Sequence, residues 1–141
     1  GNADPQALSV AIAAKDAVHF LGMPEGNTAL AQLAIYLATA PKSNAVYEAY
    51  TAAARQAHEQ VAEPVPLHLR NAPTRLMREL DYGKGYQYAH AEPDGVADMP
   101  CLPPALQGQT FYRPTERGFE KEIKRRLDGW ALIKRKRRTN G

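Results

Sequence analysis

Residues 28–40 read TALAQLAIYLATA, a run without any charged side chain that is followed by Pro41. Apolar side chains recur in it at three- and four-residue spacing, which predicts an α-helix that the proline ends. Its large apolar side chains lie on more than one face of such a helix: Leu30, Leu33, Ile35, Tyr36 and Leu37. Because a small bundle cannot cover a helix on all these sides, we expect the five residues to form a contact between subunits.

Two further helices are predicted on either side of this run, over residues 5–21 and 44–62. Asp4 can cap the earlier helix, and Pro5 stands at its first position, where a missing amide hydrogen loses no helical bond. Ser43 can cap the later helix. Both carry alanine-rich apolar stripes, which favour helices and let their backbones approach closely. This part of the chain therefore predicts three antiparallel helices joined by short loops.

Residues 63–117 differ in character, because prolines interrupt them repeatedly. Their many bulky apolar and aromatic side chains argue against disorder. We therefore expect an ordered, mostly irregular segment with one short helix at 74–80, and the pattern leaves open a short pair of strands. A last helix is predicted over 118–130, followed by a basic, flexible tail at 131–141. The predicted fold class is all-α: residues 1–130 form an antiparallel helical bundle, with the proline-rich segment wrapped over it.

The composition is that of a soluble globular protein. Among 141 residues, 44% are hydrophobic and 23% charged, which is ordinary for a soluble globular domain. No apolar stretch reaches the length of a membrane span and the start has no signal-peptide pattern, so we expect no membrane partner. Cys101 is the single cysteine and fits a reducing cytoplasm. Because the chain lacks an initiator methionine, we expect an excised or processed piece.

The charge is unevenly distributed. From Arg117 onward there are ten basic and three acidic residues, a formal charge of +7, which leaves −4 for the rest of a chain whose net charge is +3. Such a segment can bind nucleic-acid phosphates without reading sequence; a solvated terminus without a ligand is the alternative. The candidate DNA-contacting residues are Lys124, Arg125, Arg126, Lys134, Arg135, Lys136, Arg137 and Arg138.

Neighbouring side chains of this last helix suggest more local roles. Glu120 with Lys124, and Glu122 with Arg126, have the four-residue spacing of ion pairs on an exposed helix face. Trp130 shares a face with apolar residues, so we expect it in the core rather than stacked on a base.

No pattern predicts catalysis, and no catalytic, cofactor-binding or metal-binding residue is proposed from the sequence. A phosphate-binding loop needs several glycines followed by Lys and Ser or Thr, and neither GKG at 83–85 nor PKSN at 41–44 has that spacing. The histidines show no metal-ligand spacing with one another or with the cysteine. A hydrolase or ligand-binding site using His68, Arg70 and His90 is a third, weaker hypothesis.

Several short motifs, taken in order, resemble the C-terminal domain of the replication-associated recombination protein A family, which has eukaryotic relatives that interact with the Werner helicase. The motifs are GNADP at 1–5, GMPEG at 22–26, LAQLAIYLA at 30–38, APKSNA at 40–45, VPLHLRNA at 65–72, YQYAH at 86–90, FYRP at 111–114 and GFE at 118–120. Cys101 stands where the family pattern has an aromatic residue. The tail after Trp130 follows no family pattern, so the resemblance implies no DNA contact for it.

The resemblance implies an AAA+ ATPase as the parent protein, with ATP and magnesium bound in an N-terminal domain outside this chain and no cofactor within it. It implies that this chain resembles the helical collar of clamp loaders and joins subunits into a homotetramer. It further implies action at stalled forks in DNA replication, recombination and repair, in the cytoplasm and associated with the nucleoid. Single-strand-binding protein and other replisome components are the implied partners, besides DNA.

Overall fold

The computed structural model describes residues 1–59 and 63–140, and every regular element in these ranges is helical. The α-helices are α1 (Gln6–Leu21), α2 (Asn27–Thr39), α3 (Ala45–Glu59), α4 (Arg75–Glu79) and α5 (Glu120–Asn140). Three single turns of 3₁₀ helix lie at Leu67–Leu69, Ala89–Ala91 and Pro104–Leu106. The predicted all-α class is confirmed, and the described residues contain no strand pair. None of the described helices is long and apolar enough to cross a membrane.

The chain divides into two compact units. The first unit comprises Gly1–Ala53 and Phe111–Arg126, and the second comprises the described residues of Ala54–Thr110 and Leu127–Gly141.

Helices α1 and α2 form an antiparallel pair in the first unit. At one end the Tyr36 hydroxyl donates to Asp4 Oδ2 at 2.8 Å. At the other end Gly26 lies against Val18 so closely that a Cβ atom on Gly26 would be 3.1 Å from Val18 Cα. The turn between the helices therefore requires a residue without a side chain at this contact.

Helix α3 does not pack along α1 or α2 within the first unit, which differs from the expected bundle. Ala40 is extended, with φ −64° and ψ 143°, because a proline disfavours helical backbone in the residue before it. The segment after α2 is therefore not a tight reversal. The predicted cap is confirmed, since the Ala45 amide donates to Ser43 Oγ at 3.2 Å. Residues 60–62, the predicted end of this helix, lie outside the described residues.

Glu120 is the first residue of α5, and its side chain is fully buried. Its Oε2 accepts from Ser43 Oγ at 2.7 Å, from the Thr115 amide at 2.8 Å and from Thr115 Oγ1 at 2.7 Å. Its Oε1 accepts from the Tyr112 hydroxyl at 3.2 Å, and Asn2 donates to that hydroxyl at 3.1 Å. One carboxylate thus joins the chain start, the beginning of α3 and the beginning of α5.

The expected exposed ion pair of Glu120 with Lys124 is therefore wrong. Burial alone would raise the pKa of Glu120, but the hydrogen bonds from Thr115, Ser43 and Tyr112 outweigh it, so the pKa lies below its ordinary value. Position at a helix N-terminus also favours a negative charge.

Gly118 brings the chain start against α5. The Phe119 amide donates to the Ala3 carbonyl at 2.8 Å. A Cβ atom on Gly118 would lie 2.1 Å from that carbonyl oxygen, and its φ of +51° disfavours any other residue. The contact therefore depends on glycine.

Side-chain hydrogen bonds hold the irregular segment of the second unit. Arg70 Nε donates to the Val65 carbonyl at 2.6 Å, and Arg70 Nη1 donates to the Tyr82 hydroxyl at 3.1 Å. His68 Nε2 lies 2.7 Å from the Pro100 carbonyl oxygen and donates to it. Thr74 caps α4 by accepting from the Met77 amide at 3.2 Å. These bonds satisfy the polar backbone of a segment that has little regular structure.

Helix α5 continues to Asn140, whereas the sequence predicted its end near Trp130 and a flexible tail at 131–141. Lysine and arginine favour helices, and cations in a last turn complement the helix dipole. The side chains of Arg137 and Arg138 are also held by carboxylates of the same unit. Residue 141 lies outside the described residues.

Candidate assembly surface and basic helix

The face of α2 turned away from α1 is apolar and open to solvent. No residue of this helix is charged. The exposed fractions of its large side chains are 66% for Ile35, 41% for Leu30 and 40% for Leu37. Between them on the helix surface lie exposed alanines, at positions 31, 34 and 38. Such a face can pack against another helix, because its large apolar side chains alternate with alanines and it carries no charge.

Helix α1 and the turn after it carry further uncovered apolar side chains. Phe20 is 88% exposed and Leu8 71% exposed. We call the following set the α1–α2 apolar surface: Leu8, Ile12, Phe20, Leu21, Met23, Leu30, Ile35 and Leu37. Among the described residues, the apolar side chains that are buried are those of three alanines: Ala3, Ala14 and Ala45. The large apolar side chains of the first unit therefore remain at least partly open.

Two of the five predicted interface residues face inward instead. Leu33 lines a groove of about 230 Å³ between α1 and α2, together with Val10, Ala13, Ala14, Ala17, Ala29 and Gln32. Tyr36 is tied to Asp4 by its hydroxyl, which raises the pKa of Tyr36. The structure thus brings Leu30, Ile35 and Leu37 to the outside, and their role in assembly stays a prediction.

The predicted DNA-contacting residues of the first unit are engaged by carboxylates. Lys124 pairs with Glu116. Glu122 accepts from Arg125 Nε at 2.7 Å and from Arg126 Nε at 2.8 Å, which confirms the predicted pair of Glu122 with Arg126. These two hydrogen bonds lower the pKa of Glu122 to about 2.

Two arginines near the end of α5 bind an acidic loop of the second unit, which we call the 92–98 loop. Arg137 lies 3.1 Å from Glu92 Oε2 and 3.3 Å from Asp94 Oδ2, and it donates to the Val96 carbonyl at 2.5 Å. Arg138 binds Asp98 with both branches, Nε at 2.8 Å and Nη2 at 2.7 Å. The hydrogen bond from Arg138 lowers the pKa of Asp98.

The remaining three cations have no such partner: within the described ranges, no carboxylate lies within ion-pair distance of Lys134, Arg135 or Lys136. Lys134 borders an apolar groove of about 410 Å³ whose other lining residues are Gly95, Val96, Ala97, Leu127, Trp130 and Ala131. Trp130 is 48% exposed in this groove rather than in a core. The role of the 92–98 loop could not be predicted from the sequence, because its only local signal is a turn that contains proline and glycine.

The residues of the third hypothesis each have a separate structural partner. His68 donates a hydrogen bond to the Pro100 carbonyl. Arg70 donates to the Val65 carbonyl and to the Tyr82 hydroxyl. The His90 ring lies 5.2 Å from the Tyr88 ring. In the ranges that the structure describes, no three metal-ligating side chains come together.

The fold defines an all-helical domain, and comparison with known families assigns the class of protein: the C-terminal part of an AAA+ ATPase. More particularly, residues 1–131 match the model of the family described as "MgsA AAA+ ATPase C terminal". The chain belongs to this family, and the relationship expected from its motifs is confirmed.

Relatives of known name agree with this assignment. The chain is 49% identical over 140 residues to replication-associated recombination protein A of Coxiella burnetii, covering 99% of this chain and 32% of that protein. It is 50% identical over 128 residues to the protein of the same name from Escherichia coli K12, covering 90% and 29%. It is 44% identical over 113 residues to "ATPase WRNIP1" of Dictyostelium discoideum, covering 79% and 13%. The chain thus spans a third or less of the length of these relatives.

Proposed function

We propose that this chain assembles an AAA+ ATPase into a homotetramer that acts in DNA replication, recombination and repair at stalled forks. The observation that carries the proposal is the uncharged, outward face of α2 beside the exposed side chains of α1. The names of the relatives support a role in DNA replication and recombination, since several are replication-associated recombination proteins. ATP and magnesium are expected in a part of the parent protein outside this chain, and the cytoplasm is its expected location.

Burial of the exposed apolar side chains offsets most of the free-energy cost of association. Fully burying a large apolar side chain yields roughly 1.5–3 kcal/mol. Eight such side chains are available, each already partly covered, so burying the remainder of all of them yields at most on the order of 10 kcal/mol. Association costs about 4–15 kcal/mol in lost freedom. The gain and the cost are similar, so a weak but specific assembly is expected from this surface alone.

The test is the mass of the chain in solution, measured by sedimentation velocity or light scattering across a concentration series. We expect about four times the chain mass of 15.5 kDa. A mass that stays at that of the monomer up to the highest soluble concentration would refute the proposed assembly. A stable dimer would contradict only the tetrameric stoichiometry.

A matched pair of variants locates the interface. Ile35→Lys places a charge in the exposed apolar face of α2, so it should shift the mass toward the monomer while the helix content stays unchanged. Thr51→Lys is the control, because Thr51 is exposed on the side of α3 that carries Glu48 and Arg55. Equal behaviour of both variants would show that assembly does not use this face.

Nucleic-acid binding by the end of α5 is the second candidate function. It is favoured by the cations at 134–136, which stand on an ordered helix without a described carboxylate partner. Binding should weaken steeply with salt and largely disappear in a chain with Lys134, Arg135 and Lys136 changed to glutamine. Binding that is unchanged in that variant would remove this candidate. DNA-bound replisome components and single-strand-binding protein remain expected partners of the parent.

A further inference from the structure

The 92–98 loop presents three carboxylates to the same helix that carries the unpaired cations. Glu92 and Asp94 both form ion pairs with Arg137, and Asp98 forms a bidentate ion pair with Arg138. The Asp98 side chain is only 11% exposed, and its backbone amide donates to Gln87 Oε1 at 2.7 Å. The position of the loop in the unit is therefore fixed by these contacts. Its carboxylates occupy the positions in which an anionic ligand would bind the two arginines.

The same loop forms one wall of the groove that contains Trp130. Val96 and Ala97 line this groove opposite Leu127 and Trp130, and Lys134 stands at its edge. A half-exposed indole beside a row of cations is the combination on which single-stranded nucleic acid binds, with bases on the ring and phosphates on the cations. Acidic peptides offer carboxylates but no flat base for the ring.

We propose that the 92–98 loop is an intramolecular competitor of single-stranded nucleic acid: it occupies Arg137 and Arg138, and a bound strand displaces it, which frees both arginines and opens the groove of Trp130. This inference rests on the second candidate function and is independent of tetramer formation. Each of these ion pairs leaves at least one partner partly open to solvent, so salt screens the attraction. A strand that offers many phosphates can therefore exchange with the loop.

The first test neutralises the loop. In the full chain, Glu92→Gln, Asp94→Asn and Asp98→Asn are combined, and binding of a fluorescent oligothymidylate is followed by anisotropy at several salt concentrations. We expect about a tenfold gain in affinity at low salt. The slope of log affinity against log salt should steepen by about 1.4, because each of two newly available cations contributes about 0.7 for single strands.

The control changes net charge equally at a distance in sequence from the loop. Glu25→Gln, Glu59→Gln and Glu63→Gln remove three exposed carboxylates that take part in none of the ion pairs found among the described residues. This variant should gain much less affinity and keep the wild-type slope. Equal gains in both variants would show that only net charge matters and would overturn the inference.

A double-mutant cycle tests whether the arginines receive the strand. Arg138→Gln should lower affinity little in the wild type, where Asp98 holds that side chain, but should remove much of the gain in the loop-neutral variant. Additive effects would overturn the inference. Helix content measured by circular dichroism confirms that each variant is folded.

Trp130 is the single tryptophan of the chain, so its emission reports on the groove directly. Oligothymidylate should quench it, and poly-glutamate at equal charge should not. Quenching by poly-glutamate as strong as by the oligonucleotide would overturn nucleic acid as the occupant. If the wild type and the loop-neutral variant both fail to bind at low salt, nucleic-acid binding itself fails. If both bind equally, only the competition fails.

Discussion

Replacing Glu120 is the most direct test of how the first unit is held together. Glu120→Ala removes a buried acceptor of four hydrogen bonds. The hydroxyls of Ser43, Tyr112 and Thr115 can rotate toward other acceptors, but the Thr115 amide cannot. One orphaned amide costs about 1–3 kcal/mol, and each bond to a charged group contributes about 1.5–3 kcal/mol, not additively. We therefore expect a loss of about 3–5 kcal/mol in the free energy of unfolding.

The more conservative change separates charge from shape. Glu120→Gln keeps one acceptor oxygen for Thr115 and Ser43 but turns an amide group toward the Tyr112 hydroxyl. A loss of about 1–2 kcal/mol is expected, clearly smaller than for alanine.

Urea denaturation followed by circular dichroism measures both variants at one fixed protein concentration, because self-association adds to apparent stability. Glu116→Ala and Glu116→Gln are the controls, since Glu116 is exposed and only four residues away; they remove only a surface ion pair with Lys124, so they should cost at most about 1 kcal/mol. A loss below about 1 kcal/mol for Glu120→Ala would refute the argument that this buried acceptor stabilises the unit.

Three further predictions concern Gly118, Tyr36 and Glu120 of the same unit. Gly118→Ala should destabilise it by roughly 2 kcal/mol or more in the same denaturation assay, because a Cβ atom meets a backbone carbonyl. Gly129→Ala, where a Cβ atom meets nothing within 4 Å, should stabilise α5 by about 0.5–1 kcal/mol. A stability change of the same sign in both glycine variants would contradict this pair of predictions. Tyr36→Phe should lose about 0.5–1.5 kcal/mol with its hydrogen bond, whereas Tyr47→Phe, at an exposed ring, should lose nothing measurable. Because the pKa of Glu120 is lowered by folding, its stabilising effect is complete above the unfolded value near 4.5 and is lost as pH falls through the lower folded value. Glu120→Gln should therefore flatten acid unfolding below that pH, and an unchanged profile would contradict the assignment.

Local signals predicted the helices of the first unit well. Periodicity placed α1 and α2 within one or two residues of Gln6–Leu21 and Asn27–Thr39, although the N-cap residue of neither helix makes a side-chain capping hydrogen bond. Ser43 was recognised as a cap because an N-cap acts on residues next to it in sequence. The all-α class follows from the same short-range patterns.

Two features of α5 could not be read from its own residues. Its length depends on Arg137 and Arg138, whose carboxylate partners lie about forty residues earlier. Glu120 has the spacing of an exposed ion pair with Lys124, but its actual partners include Ser43, which is 77 residues away.

The sequence by itself determined which segments are helical, that α2 carries no charge, and which family the chain resembles. Only the tertiary structure decided that α3 leaves the α1–α2 pair, that Glu120 is buried, and that an acidic loop holds part of the basic helix. The physical reason is range: propensity, capping and periodicity act between residues a few positions apart, whereas burial and charge pairing depend on which distant residues share the same space.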